Sequence, residues 1–149
     1  TFTQKVNWKN LDFIIVDMPP GTGDTQLTFS QEIKMDGAII VSTPQEVALL
    51  DVKRGIKMFD KLGVQILGLV DNMSFFIGDD DKKYKIFGEG GVKKTAEEFQ
   101  KKFLGEIPIF PEVGSCSDEG KPIVEANPSH QISKIYLNFA EKIKKIYSV

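Results

Sequence analysis

The sequence predicts an α/β fold, a parallel β-sheet with flanking helices. Three observations carry that prediction. Phe13–Val16, Ala38–Val41 and Ile66–Val70 are short, continuous apolar runs rich in Ile and Val, the pattern of strands buried on both faces. Segments with helical spacing separate the runs, so the connections read as right-handed βαβ crossovers. The least ordinary sequences, "DMPPGTGD", "STPQE", "VDNMSFF" and "GEIPIFPEVG", all fall at the carboxyl ends of predicted strands, where open parallel sheets bind their ligands.

Taken in order, Phe13–Val16 is the first strand, and a helix follows from about Asp24 to Lys34. The second strand leads into "VSTPQEVALLDVKRGIKMFDKLG". There Thr43 is placed to cap, Pro44 suits the first helical position, and Glu46 completes a capping box. Leu49, Val52, Ile56, Phe59 and Leu62 recur at spacings of three or four, and Gly63 supplies the stop. After the third strand, "IGDDDKKYKIFGEGG" is polar and reads as a mobile loop. A helix over roughly Val92–Phe103 then leads to a short strand at Leu104–Ile107. The last helix starts near Ser129, with Ile132, Ile135, Tyr136, Phe139, Ile143 and Ile146 on one face.

Composition narrows the class of function. The chain has 149 residues, a length suited to one domain with a real core, and 41% hydrophobic and 27% charged residues, as in ordinary globular proteins. A net charge of −2 leaves no basic footprint for nucleic acid. No apolar run approaches a membrane span, and no secretory leader opens the sequence. Cys116 is the only cysteine, which excludes an internal disulfide and fits a reducing, cytoplasmic setting. The chain opens on Thr1 and is read as a processed or excised piece.

Asp17 is the first candidate site residue. A carboxylate ending a buried apolar strand needs a cation or strong donors, because an unpaired buried charge is costly. In a phosphate site that cation is typically Mg²⁺ held through its waters. Gly21 and Gly23 let the backbone approach an anion, Pro19 and Pro20 stiffen the approach, and the helix after Asp24 would aim its positive end at the same spot. The alternative is that Asp17 and Asp24 merely cap the turn and the helix.

"LDFIIVDMPPGTGD", "STPQEVALLDVKRGIKMF", "GLVDNMSFF", "IFGEGG" and "GEIPIFPEV", in that order through nearly the whole chain, resemble the Mrp/ApbC family of MinD-like P-loop ATPases that carry iron–sulfur clusters. The resemblance implies that residues 1–149 form a single partial domain, the C-terminal half of a P-loop NTPase fold containing its Walker B and adenine-binding parts. It implies that Asp17 ends the Walker B strand and orders the Mg²⁺ shell, and that Gly21 belongs to the switch sensing the γ-phosphate. Asn72 would read the adenine, its carboxamide supplying one donor and one acceptor, and Ile107, Pro108 and Ile109 would pack along the base. Read without the family, Asn72 is equally a turn former after a strand or a polar site residue, and Pro108 is a strand terminator. Thr43, Pro44 and Gln45 would face a partner subunit. The cofactor implied is Mg-ATP, and the partners are a second copy across the nucleotide face and iron–sulfur scaffold or recipient proteins.

Two departures qualify the resemblance. No glycine-rich P-loop precedes Phe13, and "GEGGVKKT" (Gly88–Thr95) is no substitute, since Lys93 stands where the second glycine is required. Where relatives carry a C-P-x-C pair this chain reads "IGDDDKKYKIF", so no iron–sulfur ligand is assigned and a bound cluster is doubtful. Cys116 reads as a half-buried thiol, and His130 is given no metal role. The isolated chain is therefore expected to be inactive, as part of an ATP-hydrolysing cluster carrier. A MinD-like regulatory ATPase without a cluster role, and a non-catalytic interaction or scaffold module, stay open.

Overall fold

Residues 6–19 and 23–147 are described by the structure, a computed structural model. Its centre is one long strand. β2 (Ile66–Ile77) pairs in parallel with β1 (Ala38–Ser42) on one side and β4 (Phe103–Ile109) on the other, while β3 (Lys83–Tyr84) runs antiparallel to its far end. The predicted parallel core is thus present, and the antiparallel β3 makes the sheet mixed.

Alternation along β2 divides the core into two clusters. Leu69 packs with Val52 and Ile56 of α2 (Glu46–Leu62) and with Val92 and Ala96 of α3 (Gly91–Glu98). Val70, one residue on, packs with Leu104, Ile107, Ile123 and Ile132 on the other face. Ile123 belongs to α5 (Ile123–Ala126) and Ile132 to α6 (Gln131–Tyr147). Successive strand residues point to opposite faces, so a continuous apolar run with helices on both sides satisfies both at once. α1 (Asp24–Glu32) precedes β1, and α4 (Pro111–Asp118) follows β4 with Pro111 at its first turn.

Several boundaries differ from the prediction. α2 ends at Gly63 as expected, with Gly63 in the left-handed region at φ 70°. Its start is Glu46, with Gln45 at the N-cap and no side-chain capping bond, so the Thr43–Glu46 capping box does not form. The "IGDDDKKYKIF" stretch is partly a hairpin rather than a loop throughout: Phe76 and Ile77 pair with Tyr84 and Lys83, and Asp80 closes the turn by accepting from the Lys82 N–H at 3.2 Å and the Tyr84 hydroxyl at 3.0 Å. α3 ends at Glu98, short of Phe103, which opens β4 instead. Neither α4 nor α5 is signalled by apolar periodicity. α6 begins at Gln131, just after His130, whose Nδ1 accepts from the Ile132 N–H at 3.2 Å.

The largest correction concerns Phe13–Val16. This run is not a strand. Ile14, Ile15 and Val16 are 45%, 83% and 39% exposed, and Phe13 meets the Tyr147 ring edge-on at a centroid distance of 6.2 Å. Strand formation needs ladder partners for the backbone, and no strand among the described residues pairs with this segment. β1 has a matching deficit. Among the described residues nothing pairs with its outer edge, where Ile39 and Val41 are 40% and 57% exposed. Exposed apolar edges of this kind invite pairing with additional chain.

Candidate functional site

Asn72 lies inside β2, because the strand continues past Val70 through the whole "VDNMSFF" sequence. That removes the turn-former reading. Its register partner is Ile107 of β4, and the next residue, Pro108, is buried. Asn72 itself is half-buried. Directly after it Met73 takes a left-handed φ of 55° and the β2–β4 register shifts before Phe76 meets Ile109. The β2–β4 ladder is therefore interrupted just beyond Asn72 and resumes at Phe76, near the carboxyl end of the parallel strands, where such sheets bind ligands. Asn72, Ile107 and Pro108 are brought together.

One residue earlier, on the opposite face, sits a group that sequence reasoning missed. Asp71 pairs with Ser42 of β1 and Glu106 of β4, so a hydroxyl and two carboxyl groups line one rung of the sheet. Asp71 is 1% exposed, and its Oδ1 has no hydrogen-bond partner among the described residues. Ser42 does not serve it, since that hydroxyl donates to the Thr43 carbonyl at 2.9 Å. Burial, and secondarily the negative charge of Glu106, push the Asp71 carboxyl up to about 6. The Asp71 carboxyl therefore keeps its proton to higher pH than an ordinary carboxylate does.

The other candidates are placed less centrally. Asp17 is exposed, at the rim of an open groove of about 450 Å³ lined by Trp8, Leu11 and the Phe13–Val16 run. Its carboxylate is free to approach a hydrated cation, but it does not end a strand here. Gly21 lies outside the described residues. Of the Thr43–Gln45 segment, Pro44 is buried and packs on "GEGG": a Cβ at Gly91 would come within 2.7 Å of both the Pro44 carbonyl and Leu49 Cδ1. The glycine at the start of α3 therefore serves close packing.

Cys116 lies on α4, half-buried against the Val70 cluster. Asp79–Asp81 form the hairpin turn, where bonds to Lys82 hold the Asp80 carboxyl below its usual range. Among the described residues no group of three or more His, Cys, Asp or Glu is placed to hold a metal ion. This chain offers one cysteine, against the four ligands an iron–sulfur cluster ordinarily takes. No helix among the described residues is long and apolar enough to cross a membrane.

Residues 1–144 match the ParA family model, described as NUBPL iron-transfer P-loop NTPase. An iron–sulfur cluster carrier protein of Aquifex aeolicus is 44% identical over 146 residues, covering 97% of this chain and 40% of that protein. A solved nucleotide-binding protein of Archaeoglobus fulgidus, in complex with ADP and with cobalt, superposes with a TM-score of 0.68 at 39% identity, over 76% of this chain and 47% of that one. The cell division ATPase MinD of Pyrococcus furiosus superposes with a TM-score of 0.68 at 25% identity, over 91% of this chain and 52% of that one. The chain thus spans about half or less of the length of these relatives.

Proposed function

The chain belongs to the ParA family of NUBPL iron-transfer P-loop NTPases, and from that premise we propose that it forms the Walker B and adenine-binding portion of an ATP-hydrolysing iron–sulfur cluster carrier. The observation that supports this most is the β2–β4 register, which sets Asn72 opposite Ile107, next to Pro108, where the ladder is interrupted toward the carboxyl end of the sheet. In this reading the Asn72 carboxamide pairs with the edge of an adenine while Ile107–Ile109 supply apolar contact along the base. Asp17 and Gly21 belong to the phosphate end. Asp17 would orient the waters of a bound Mg²⁺, and Gly21 would give its backbone to the γ-phosphate. Bound Mg²⁺ would offset the negative charge of the transferring phosphoryl group.

The described residues leave this site incomplete. Asp17 lies on an unpaired segment and β1 has a free edge, so the remaining strands must come from the part of the protein that this chain does not span. We place the whole protein in the cytoplasm, as a homodimer across the nucleotide face that hands clusters to scaffold or recipient proteins. The lone cysteine favours a second reading, a MinD-like regulatory ATPase with no cluster of its own.

Substituting Asn72→Ala in the full-length protein tests the adenine assignment. Losing a bidentate partner to a base costs about 1–3 kcal/mol of discrimination, so the preference for ATP over GTP should fall about 5- to 150-fold in competition binding. An unchanged preference would return Asn72 to a purely structural place in β2.

A further inference from the structure

At the opposite end of the sheet from Asn72, where β4 begins and α6 ends, lies an open groove of about 640 Å³. Its apolar floor is Phe103, Leu104 and Ile146, with Leu104 buried and the other two half-buried. Its rim is Lys102, Lys142 and Lys145. Lys142 is fixed in place, donating to the Leu104 carbonyl at 2.7 Å and standing 5.6 Å from the Phe139 ring centroid. Lys145 follows three residues later on the same helix, which sets it beside Lys142 on one face.

None of the three ammonium groups has a carboxylate partner among the described residues, although Lys101, their neighbour in sequence, is paired with Asp60 at 2.7 Å. Three unpaired cations therefore converge on one apolar floor in a chain whose net charge is −2. Complementing the C-terminal dipole of α6 accounts for Lys145, but not for Lys102 on the β4 side. The size matches sites that enclose a large apolar group while a few polar groups fix its orientation.

We propose that this groove is a docking site for an acidic peptide segment of a partner protein, one that seats an apolar side chain against Phe103 and Ile146 and sets carboxylates against Lys102, Lys142 and Lys145. The lysine rim by itself suits any anion, nucleic acid and anionic membrane included. The apolar floor adds a requirement that a bare polyanion does not meet. The docked segment leaves the Asn72 end of the sheet free, so partner binding and nucleotide binding are compatible.

The test uses the full-length protein and a fluorescein-labelled peptide of two Asp-Glu-Leu-Phe-Asp-Glu repeats, read by fluorescence anisotropy. A control peptide has glycine for Leu and Phe. The expected result is salt-sensitive binding of the first peptide that weakens about tenfold or more in the exposed double variant Lys102→Glu with Lys145→Glu, and equally weak binding of the control. Lys102→Gln with Lys145→Gln, which removes the two charges without reversing them, should lose an intermediate amount. Circular dichroism establishes that both variants keep their helix content. Absence of peptide binding overturns the proposal, including the case in which the rest of the protein covers the groove. Binding that ignores the lysine substitutions overturns it too, as does lysine-dependent binding of phosphatidylserine vesicles or a single-stranded oligonucleotide in place of the peptide.

Discussion

In the full-length protein, Asp17→Asn is expected to lower Mg²⁺-dependent ATP hydrolysis about 10- to 100-fold while leaving ATP affinity nearly unchanged. A carboxylate that acts through the waters of an ion orients the metal instead of gripping the nucleotide, and removing such outer partners typically costs that much. Asparagine keeps the size of the side chain but not its charge, so the loss should fall on turnover. Steady-state phosphate release and equilibrium nucleotide binding, measured on the same preparations, separate the two effects. Equal turnover in both proteins would leave Asp17 as no more than a turn residue on an exposed segment.

Asp71→Asn should act on stability. The folded carboxyl titrates near 6 against an ordinary value of 3.8, so between those values the folded state holds a proton that the unfolded chain has released. Stability from this group is complete below about pH 4 and is lost as pH rises through about 6. A rise of that size corresponds to at most about 3 kcal/mol. Denaturant unfolding across that range should show the parent losing stability relative to the Asp71→Asn variant as pH rises, with the variant the more stable of the two at neutral pH. Identical pH profiles would mean that Asp71 is solvated, or that a donor outside the described residues neutralises it. Because the rung Ser42–Asp71–Glu106 adjoins the Asn72–Ile107 pair, the same proton sits one residue from the proposed adenine edge.

The contrast between Asp17 and Asp71 shows what the sequence made legible. Both acids follow a run of buried-type residues, and the cost of burying a charge is the same argument at each. It applies in full at Asp71, which is 1% exposed, and not at Asp17, which is exposed. Strand β2 was readable because Ile66–Val70 is apolar throughout, but its continuation through Asp71, Asn72 and Ser74 is polar. That continuation is fixed by its neighbours β4 and β3, which period alone does not reveal. Phe13–Val16 failed for the converse reason: its residues favour a strand and no partner among the described residues accepts it. Local signals performed better. The heptad-like spacing of α2 and its stop at Gly63 were legible because helix bonds close within the element. The start at Glu46 was not, since the buried position of Pro44 against Gly91 is a tertiary contact.

The central claim is that these residues supply the adenine and Walker B side of a nucleotide site which the rest of the protein completes. Isothermal titration of Mg-ATP into the 149-residue chain alone, and into the chain extended to the full-length protein, tests it most directly. The account predicts no measurable binding to the isolated chain and saturable binding to the extended one. Equal affinity in the two would contradict it.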